Sequence, residues 1–184
     1  MNIKNSLFVV ILLALSLTLS ACSSDEKGNE KQDMNQMNHK GMNHSGSGEV
    51  PKELKEAINP KYEVGSQAII KASHMEGMKG AKAKIIGAYD TTAYVVSYTP
   101  TTGGKRVENH KWVIQEEIRD AGNKTLKAGT EVKLNANHMK GMKGATADIV
   151  SSEKTTVYMV DYTTTTGGEK VTNHKWVTEG ELQP

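Results

Sequence analysis

Hydrophobic and polar positions divide the chain into three regions with different patterns. An apolar run over residues 7–19 follows a short start containing Lys4. This run is typical of the apolar segment of a signal peptide and is too short for a membrane span. From Ser23 to about Val50 the chain is polar, without apolar periodicity, and predicts a disordered tether. Beyond this point short apolar segments alternate with turn residues.

The last region contains two copies of one sequence. Aligned without gaps at an offset of 64 residues, positions 65–118 and 129–182 are identical at 28 of 54 places. Such a period indicates one small structural unit that is present twice. The predicted divisions are a signal peptide over 1–21, a Met/His-rich tether over 22–50, a first β repeat over 51–118 and a second over 119–184.

Within each repeat the pattern favours β-strands. Two segments of the first repeat alternate with period two, which is typical of half-buried strands. Their predicted inward positions are Ala81, Ala83 and Ile85 in one segment and Tyr94, Val96 and Tyr98 in the other. Asp90-Thr91 predicts a hairpin turn between these segments, and TTGG from Thr101 predicts another turn. We therefore predict an all-β protein with two tandem small SH3-like β-barrels.

The only cysteine, Cys22, suggests how the chain is located. It ends the string LSAC directly after the apolar run, which resembles the lipobox of bacterial lipoproteins. The prediction is lipidation at Cys22 and attachment to the outer face of the cell membrane. The alternative is an ordinary secretory signal with an incidental cysteine.

Charge and motifs exclude several classes of function. The formal net charge is +2, without a basic stripe or aromatic platforms, so nucleic-acid binding is not expected. No Gly-x-Ser-x-Gly string, phosphate-binding loop or His-Glu-x-x-His pair is present, and no spacing pairs a nucleophile with a base. We predict that the protein is not an enzyme.

Methionine and histidine form three clusters that suggest a metal site. Thioether sulfur is a soft ligand suited to Cu(I), and imidazole suits copper generally. Seven of the nine methionines lie in these clusters. The candidate ligands are Met34, Met37, His39, Met42 and His44 in the tether, His74, Met75 and Met78 in the first repeat, and His138, Met139 and Met142 in the second.

Each candidate group has a structural alternative. The tether cluster can be an ordinary polar linker. In His-Met-x-Gly-Met the methionines can close the end of a barrel while Gly77 and Gly80 allow tight turns. The string NHKWV also recurs, and its histidine and tryptophan can belong to the core or can cap a copper ion through the ring face. The residues concerned are His110, Trp112, His174 and Trp176.

The strings HMxGMKGA and TTGGxxVxNHKWV resemble the duplicated YdhK-type domain of Gram-positive surface lipoproteins. The resemblance extends from about Glu53 to the C-terminus. Some similar lipoproteins are associated with copper resistance and bind copper at the cell surface. The resemblance therefore implies copper binding by the two His-Met-x-Gly-Met groups and the tether cluster. Pro100 in the first copy, where Thr164 stands in the second, leaves these candidates unchanged.

Two functions follow as expectations. The first is a membrane-anchored, extracytoplasmic copper-binding lipoprotein that sequesters copper or hands it to a copper exporter. The softness of the thioether ligands favours Cu(I) as the bound form. The second is a cell-wall or protein interaction module without a metal role. In that second function Tyr62, Tyr89 and the TTGG loops would be exposed for recognition.

Overall fold

The computed structural model describes residues 45–184, and nearly all of its regular structure is β-strand. The predicted all-β class is confirmed. The strands of these residues are β1 (Lys55–Glu56), β2 (Gln67–Ile70), β3 (Lys82–Tyr98), β4 (Val107–Ile114), β5 (Glu131–Lys133), β6 (Thr146–Thr163), β7 (Lys170–Thr178) and β8 (Leu182–Gln183). Short 3₁₀ helices, Gln115–Glu117 and Glu179–Glu181, follow β4 and β7.

All these strands belong to one sheet. Its central order is β5-β6-β3-β2-β8, while β1 and β4 also pair with β3, and β7 pairs with β6. The two longest strands, β3 and β6, lie antiparallel along most of their length. Thr91 pairs with Thr155, which is its own counterpart 64 residues later. The two repeats are therefore related by an approximate twofold axis at this pair.

The predicted hairpin at Asp90-Thr91 is wrong. Asp90 pairs with Thr156 inside an uninterrupted part of the β3–β6 ladder. Asp90 is followed by two threonines and lacks the glycine of a tight hairpin, and threonine favours strands. The chain therefore continues straight through this position, and what looked like two strands is one.

A bulge in β3 explains why the alternation seemed to start again. The ladder passes from the pair Ile85–Val160 directly to the pair Gly87–Met159, which leaves Ile86 as an extra residue. A bulge shifts the alternation of side chains by one position. The residues of β3 that face the first and second cores are therefore odd-numbered before the bulge and even-numbered after it, although the strand has no turn.

Each of the two larger cores combines halves of both repeats. The first core joins buried residues of 62–88 with buried residues of 158–182, and the second joins 94–118 with 134–149. The inward positions predicted from the sequence are confirmed, with Ala81, Ala83 and Ile85 in the first core and Tyr94, Val96 and Tyr98 in the second. The repeats are thus intertwined, because β3 and β6 each cross from one core to the other.

A third core covers the opposite face of the β3–β6 ladder. Ala93, Val95, Val157 and Met159 contribute to it from the two long strands, together with both tryptophans, Trp112 and Trp176. Because consecutive strand residues point to opposite faces, Val95 faces this core while its neighbours face the second core. The tryptophans are thereby fixed near the twofold axis.

The loops that carry His-Met-x-Gly-Met, residues 74–80 and 138–144, are held by the TTGG loops. The Thr165 amide donates to the Gly77 carbonyl at 2.9 Å, and the Thr101 amide donates to the Gly141 carbonyl at 2.9 Å. Gly77 has φ of +73°, and a Cβ there would lie 2.6 Å from Thr166 Oγ1. A side chain does not fit at this approach, which explains the glycine.

Residues 45–50 differ from the predicted tether. They have no regular secondary structure, but they lie against β7, where the Gly46 amide donates to the Thr172 carbonyl at 2.8 Å. We call residues 45–49 the strap. In residues 45–184 no helix has the length and apolarity needed to cross a membrane.

Candidate functional site

A cleft of about 970 Å³ gathers the histidines of the described region. His74, His110, His138 and His174 all line it, and they are the four histidines found in residues 45–184. Met75 and Met139, which follow two of these histidines, also line the cleft. Residues separated by up to 100 positions in sequence are thus brought to one surface.

The first polar group in the cleft joins a histidine, a glutamate and a tryptophan. His74 Nε2 lies 2.7 Å from Glu181 Oε1, and Trp112 Nε1 donates to Glu181 Oε2 at 2.8 Å. The rings of His74 and Trp112 meet edge to face, with centroids 6.3 Å apart. The Thr178 amide also donates to Glu181 Oε2, at 3.1 Å. The Glu181 carboxylate therefore fixes the orientation of both rings.

The twofold axis produces a second group of the same kind. His138 Nε2 lies 2.7 Å from Glu117 Oε1, and Trp176 Nε1 donates to Glu117 Oε2 at 3.1 Å. The Ile114 amide donates to the same carboxylate oxygen at 3.3 Å. In each group the histidine and tryptophan come from one repeat and the glutamate from the other. Neither repeat alone contains a complete group.

The two glutamates are held in their ionised form. Burial by itself raises the pKa of Glu117, but the neighbouring His138 and the N–H groups of Trp176 and Ile114 bring the pKa below its usual value. The same opposition of burial against His74 and the other donors lowers the pKa of Glu181. An ionised carboxylate only accepts hydrogen bonds, so each histidine Nε2 carries the proton.

In the neutral form of each histidine this arrangement leaves a lone pair on the other ring nitrogen. In that form Nε2 holds the ring proton and Nδ1 has none. The Nδ1 atoms of His74 and His138 are buried and have no hydrogen-bond partner in residues 45–184. A histidine that donates one N–H to a carboxylate and keeps the other nitrogen available has the arrangement of a metal ligand.

Hard-ligand metal chemistry is not favoured by the described residues. Within 45–184 no three His, Cys, Asp or Glu side chains are grouped closely enough to hold a metal ion. The additional donors offered here are thioethers, because Met75 and Met139 are partly buried beside the two cores and line the cleft. Imidazole together with thioether is a donor set for a soft ion such as Cu(I).

The second methionine of each loop lies elsewhere. Met78 and Met142 are 0% exposed and belong to the first and second cores, respectively. The packing alternative left open by the sequence therefore describes these two side chains. Their burial explains the spacing of the motif, in which one methionine packs and the other reaches the cleft.

The tryptophans lie in the core, which is the first of the two alternatives considered for NHKWV. Trp112 and Trp176 are buried in the third core, yet each ring also adjoins a histidine–glutamate pair. A lysine ammonium lies near each ring, with Lys111 Nζ 5.3 Å and Lys175 Nζ 5.9 Å from the ring centroids. Each of the two tryptophan rings therefore already has a lysine cation near it.

The remaining two histidines also line the cleft and differ in exposure. His110 is half-buried, with its ring centroid 6.2 Å from that of His138 and 6.0 Å from that of Tyr98. His174 is 7% exposed and packs against Tyr162 with a centroid distance of 5.8 Å. His110 thus lies beside the group formed by His138, Glu117 and Trp176.

Some predicted residues lie outside the described part of the chain. These are the lipidation site Cys22 and the tether candidates Met34, Met37, His39, Met42 and His44. The proposed recognition surface of the interaction module is partly wrong, because Tyr62 is 6% exposed and packs edge-on against Tyr158. Tyr89 is half-buried against Trp176.

Sequence reasoning missed Glu117 and Glu181. The signal was present, since these glutamates occupy equivalent positions in the two copies, 64 residues apart. It was hard to interpret because each glutamate acts on a histidine of the other repeat. Nothing in the local sequence indicates that partner.

Fold and cleft together define an all-β protein made of two intertwined copies of one repeat, with paired histidine–glutamate–tryptophan groups in a shared cleft. The chain belongs to the family described as "Protein of unknown function (DUF1541)", which matches residues 64–115 and 128–179. The two matches correspond to the two repeats. The YdhK-type resemblance is therefore confirmed.

Relatives agree with this assignment. The "Uncharacterized protein YdhK" of Bacillus subtilis (strain 168) is 64% identical over 187 residues, covering 99% of this chain and 91% of that protein. A crystal structure of a DUF1541 family protein (ydhK) from the same species has 72% identity and a TM-score of 0.76, over 79% of this chain and 99% of that one. A solution NMR structure of the ydhK C-terminal domain has 75% identity and a TM-score of 0.63, over 66% and 92%.

Proposed function

We propose that this protein is a non-enzymatic, extracytoplasmic lipoprotein that binds copper as Cu(I) and either sequesters it or hands it to an exporter. Lipidation at Cys22 would attach it to the outer face of the cell membrane. The Met/His-rich segment upstream of the strap would supply further soft donors. The first and second cores, each with the strands around it, would be two SH3-like barrels. Each barrel would contain strands from both repeats.

The observation that carries the proposal is the orientation of His74 and His138. Glu181 and Glu117 each accept a hydrogen bond from the Nε2 of their histidine, which in the neutral histidine leaves the buried Nδ1 with an unused lone pair. A buried polar atom without a partner is costly unless a ligand satisfies it. A metal ion bound at Nδ1 would remove that cost.

The neighbouring side chains favour a soft, singly charged ion. Met75 and Met139 offer uncharged thioethers on the cleft side of the same loops, and thioethers select Cu(I). The carboxylates of Glu181 and Glu117 would act on the ion only through the imidazoles to which they are hydrogen-bonded. Such outer partners strengthen a histidine as a ligand, and their loss lowers metal affinity by about 10–100-fold.

A competition titration tests this function. Full-length mature protein with Cys22→Ser, kept reduced, is titrated with Cu(I) against a coloured Cu(I) chelator. We expect the protein to withdraw copper from the chelator and the double variant His74→Ala/His138→Ala to bind fewer ions, with weaker affinity for the remainder. Met78→Leu/Met142→Leu is the matched control, because it removes two thioethers from the cores and leaves the cleft unchanged. Failure of the wild-type protein to compete would refute the proposal.

A further inference from the structure

The strap adds a short extended segment to the outer edge of β7. The Gly46 amide donates to the Thr172 carbonyl at 2.8 Å, and the Thr172 amide donates to Ser45 Oγ at 3.0 Å. Lys175 Nζ donates to the Glu49 carbonyl at 2.6 Å. An edge strand offers unpaired backbone groups to such a segment, and the strap uses them as an added peptide would.

The contact has a specific steric requirement. A Cβ on Gly46 would lie 2.5 Å from the backbone oxygen of Asn173, a distance that side chains do not tolerate. The side-chain Nδ2 of Asn173 also donates to the Gly46 carbonyl, at 3.4 Å. Gly48, with φ of +79°, lies against the Asn173 side chain. The β7 edge therefore accepts an extended segment that has glycine opposite Asn173.

The twofold axis creates the same edge on β4, where no described segment covers it. Both strands carry Asn-His-Lys, and Asn109 and Asn173 have nearly equal φ angles of 52° and 51°. Both have the same register, since Val96 pairs with His110 and Val160 pairs with His174.

The outer edges of β4 and β7 differ in solvent exposure. Asn109 is exposed where Asn173 is half-buried, and His110 is half-buried where His174 is buried. Glu108 is likewise exposed where its counterpart Thr172 is half-buried. The strap thus covers one of two equivalent edges, and the other remains accessible among residues 45–184.

We propose that the outer edge of β4 at Glu108 and Asn109, which are both exposed, is a docking site for an extended, glycine-containing, acidic segment of a partner protein. The chain's own strap on β7 is the template for the bound form, with glycine opposite Asn109 and a backbone carbonyl near Lys111. Arg106 at this edge is already paired with Glu108 and Asp148, so the acidic character of the partner follows from Lys105 and Lys111. The proposal does not rest on copper binding, although residues 108–111 line the same cleft as His74 and His138.

A peptide that covers the strap and the two residues after it provides the probe. The blocked peptide Ser-Gly-Ser-Gly-Glu-Val-Pro is titrated to about 10 mM, a range that detects millimolar binding, into ¹⁵N-labelled, metal-free Cys22→Ser protein. We expect saturable changes in the backbone amide signals of 107–111. A peptide with valine at its second position is expected to bind at least about 10-fold more weakly, since its side chain meets the Asn109 carbonyl. Asn109→Ala protein is expected to show the same loss with the original peptide.

Three results would overturn the proposal. Absence of saturable changes at 107–111 would show that the open edge does not dock such a segment. Changes confined to 170–178 would show that the peptide only replaces the strap on β7. Equal binding of the glycine and valine peptides would show that the contact lacks the steric requirement seen at Gly46.

Discussion

Replacing Glu117 by glutamine removes one charge and changes little in shape, so it isolates the role of the buried carboxylate. Glu117 Oε1 faces His138 Nε2, while Oε2 accepts from Trp176 Nε1 and the Ile114 amide. The glutamine oxygen can still accept from the last two groups. Its NH₂ then faces the N–H of His138, and two donors meet.

Both ways of relieving this conflict cost stability. If His138 keeps its proton on Nε2, a charge-assisted hydrogen bond is lost and a buried donor is left without a partner. If the proton moves to Nδ1, that atom becomes the unpaired buried donor, because Nδ1 has no partner in residues 45–184. Either outcome is expected to lower the free energy of unfolding by about 2–4 kcal/mol. For a domain of this size the melting temperature should fall by roughly 4–16 °C.

Urea unfolding of the metal-free protein at pH 7 measures this change. Glu131→Gln is the matched control, since Glu131 is exposed on β5 and a surface change of this type is expected to stay within about 0.5 kcal/mol. Moving the proton to Nδ1 would also block the metal-binding lone pair, so Cu(I) affinity should fall by about 10–100-fold. A Glu117→Gln protein as stable as the control would refute the reasoning about the buried carboxylate.

Three other outcomes are expected. Met142→Ala should lower the free energy of unfolding by about 2–5 kcal/mol and Met142→Leu by less than about 1.5 kcal/mol in urea unfolding, because Met142 fills the second core; equal costs would contradict that role. The folded-state pKa values of Glu117 and Glu181 are lowered, so their contribution to stability should be complete above the unfolded-state pKa of about 4.3 and should disappear as the pH falls further. Unfolding curves of the wild type and the double glutamine variant, measured over a series of pH values, check this. A stability difference between the two proteins that stays constant below that pH would contradict it. Cys22→Ala should move the protein from the detergent phase to the aqueous phase, and unchanged partitioning would exclude a lipid anchor at Cys22.

The strand positions were predictable because alternation reports burial directly. Ala81, Ala83 and Ile85 lie in the first core, as expected from period two. The single long strand was not predictable in the same way. The bulge at Ile86 shifts the alternation by one residue, and a local pattern cannot distinguish such a shift from a turn.

The candidate site was predictable in part for a related physical reason. Histidine and methionine stand out by composition, and the four described histidines do meet in one cleft. Which methionine packs and which reaches the cleft depends on the direction of each side chain within a loop, and spacing alone does not give this. The roles of Glu117 and Glu181 depend on contacts between repeats, with Glu181 acting on a histidine 107 residues away.

The protonation of the two histidines is the most direct test of the copper-binding account. Cu(I) is diamagnetic, so a long-range ¹H–¹⁵N spectrum of the imidazoles can be recorded with and without the ion. The account predicts that in the metal-free protein the neutral form of His74 and His138 carries its proton on Nε2. Addition of Cu(I) should shift their Nδ1 signals while Nε2 stays protonated. Protonation at Nδ1 in the free protein, or Nδ1 signals unchanged by Cu(I), would contradict it.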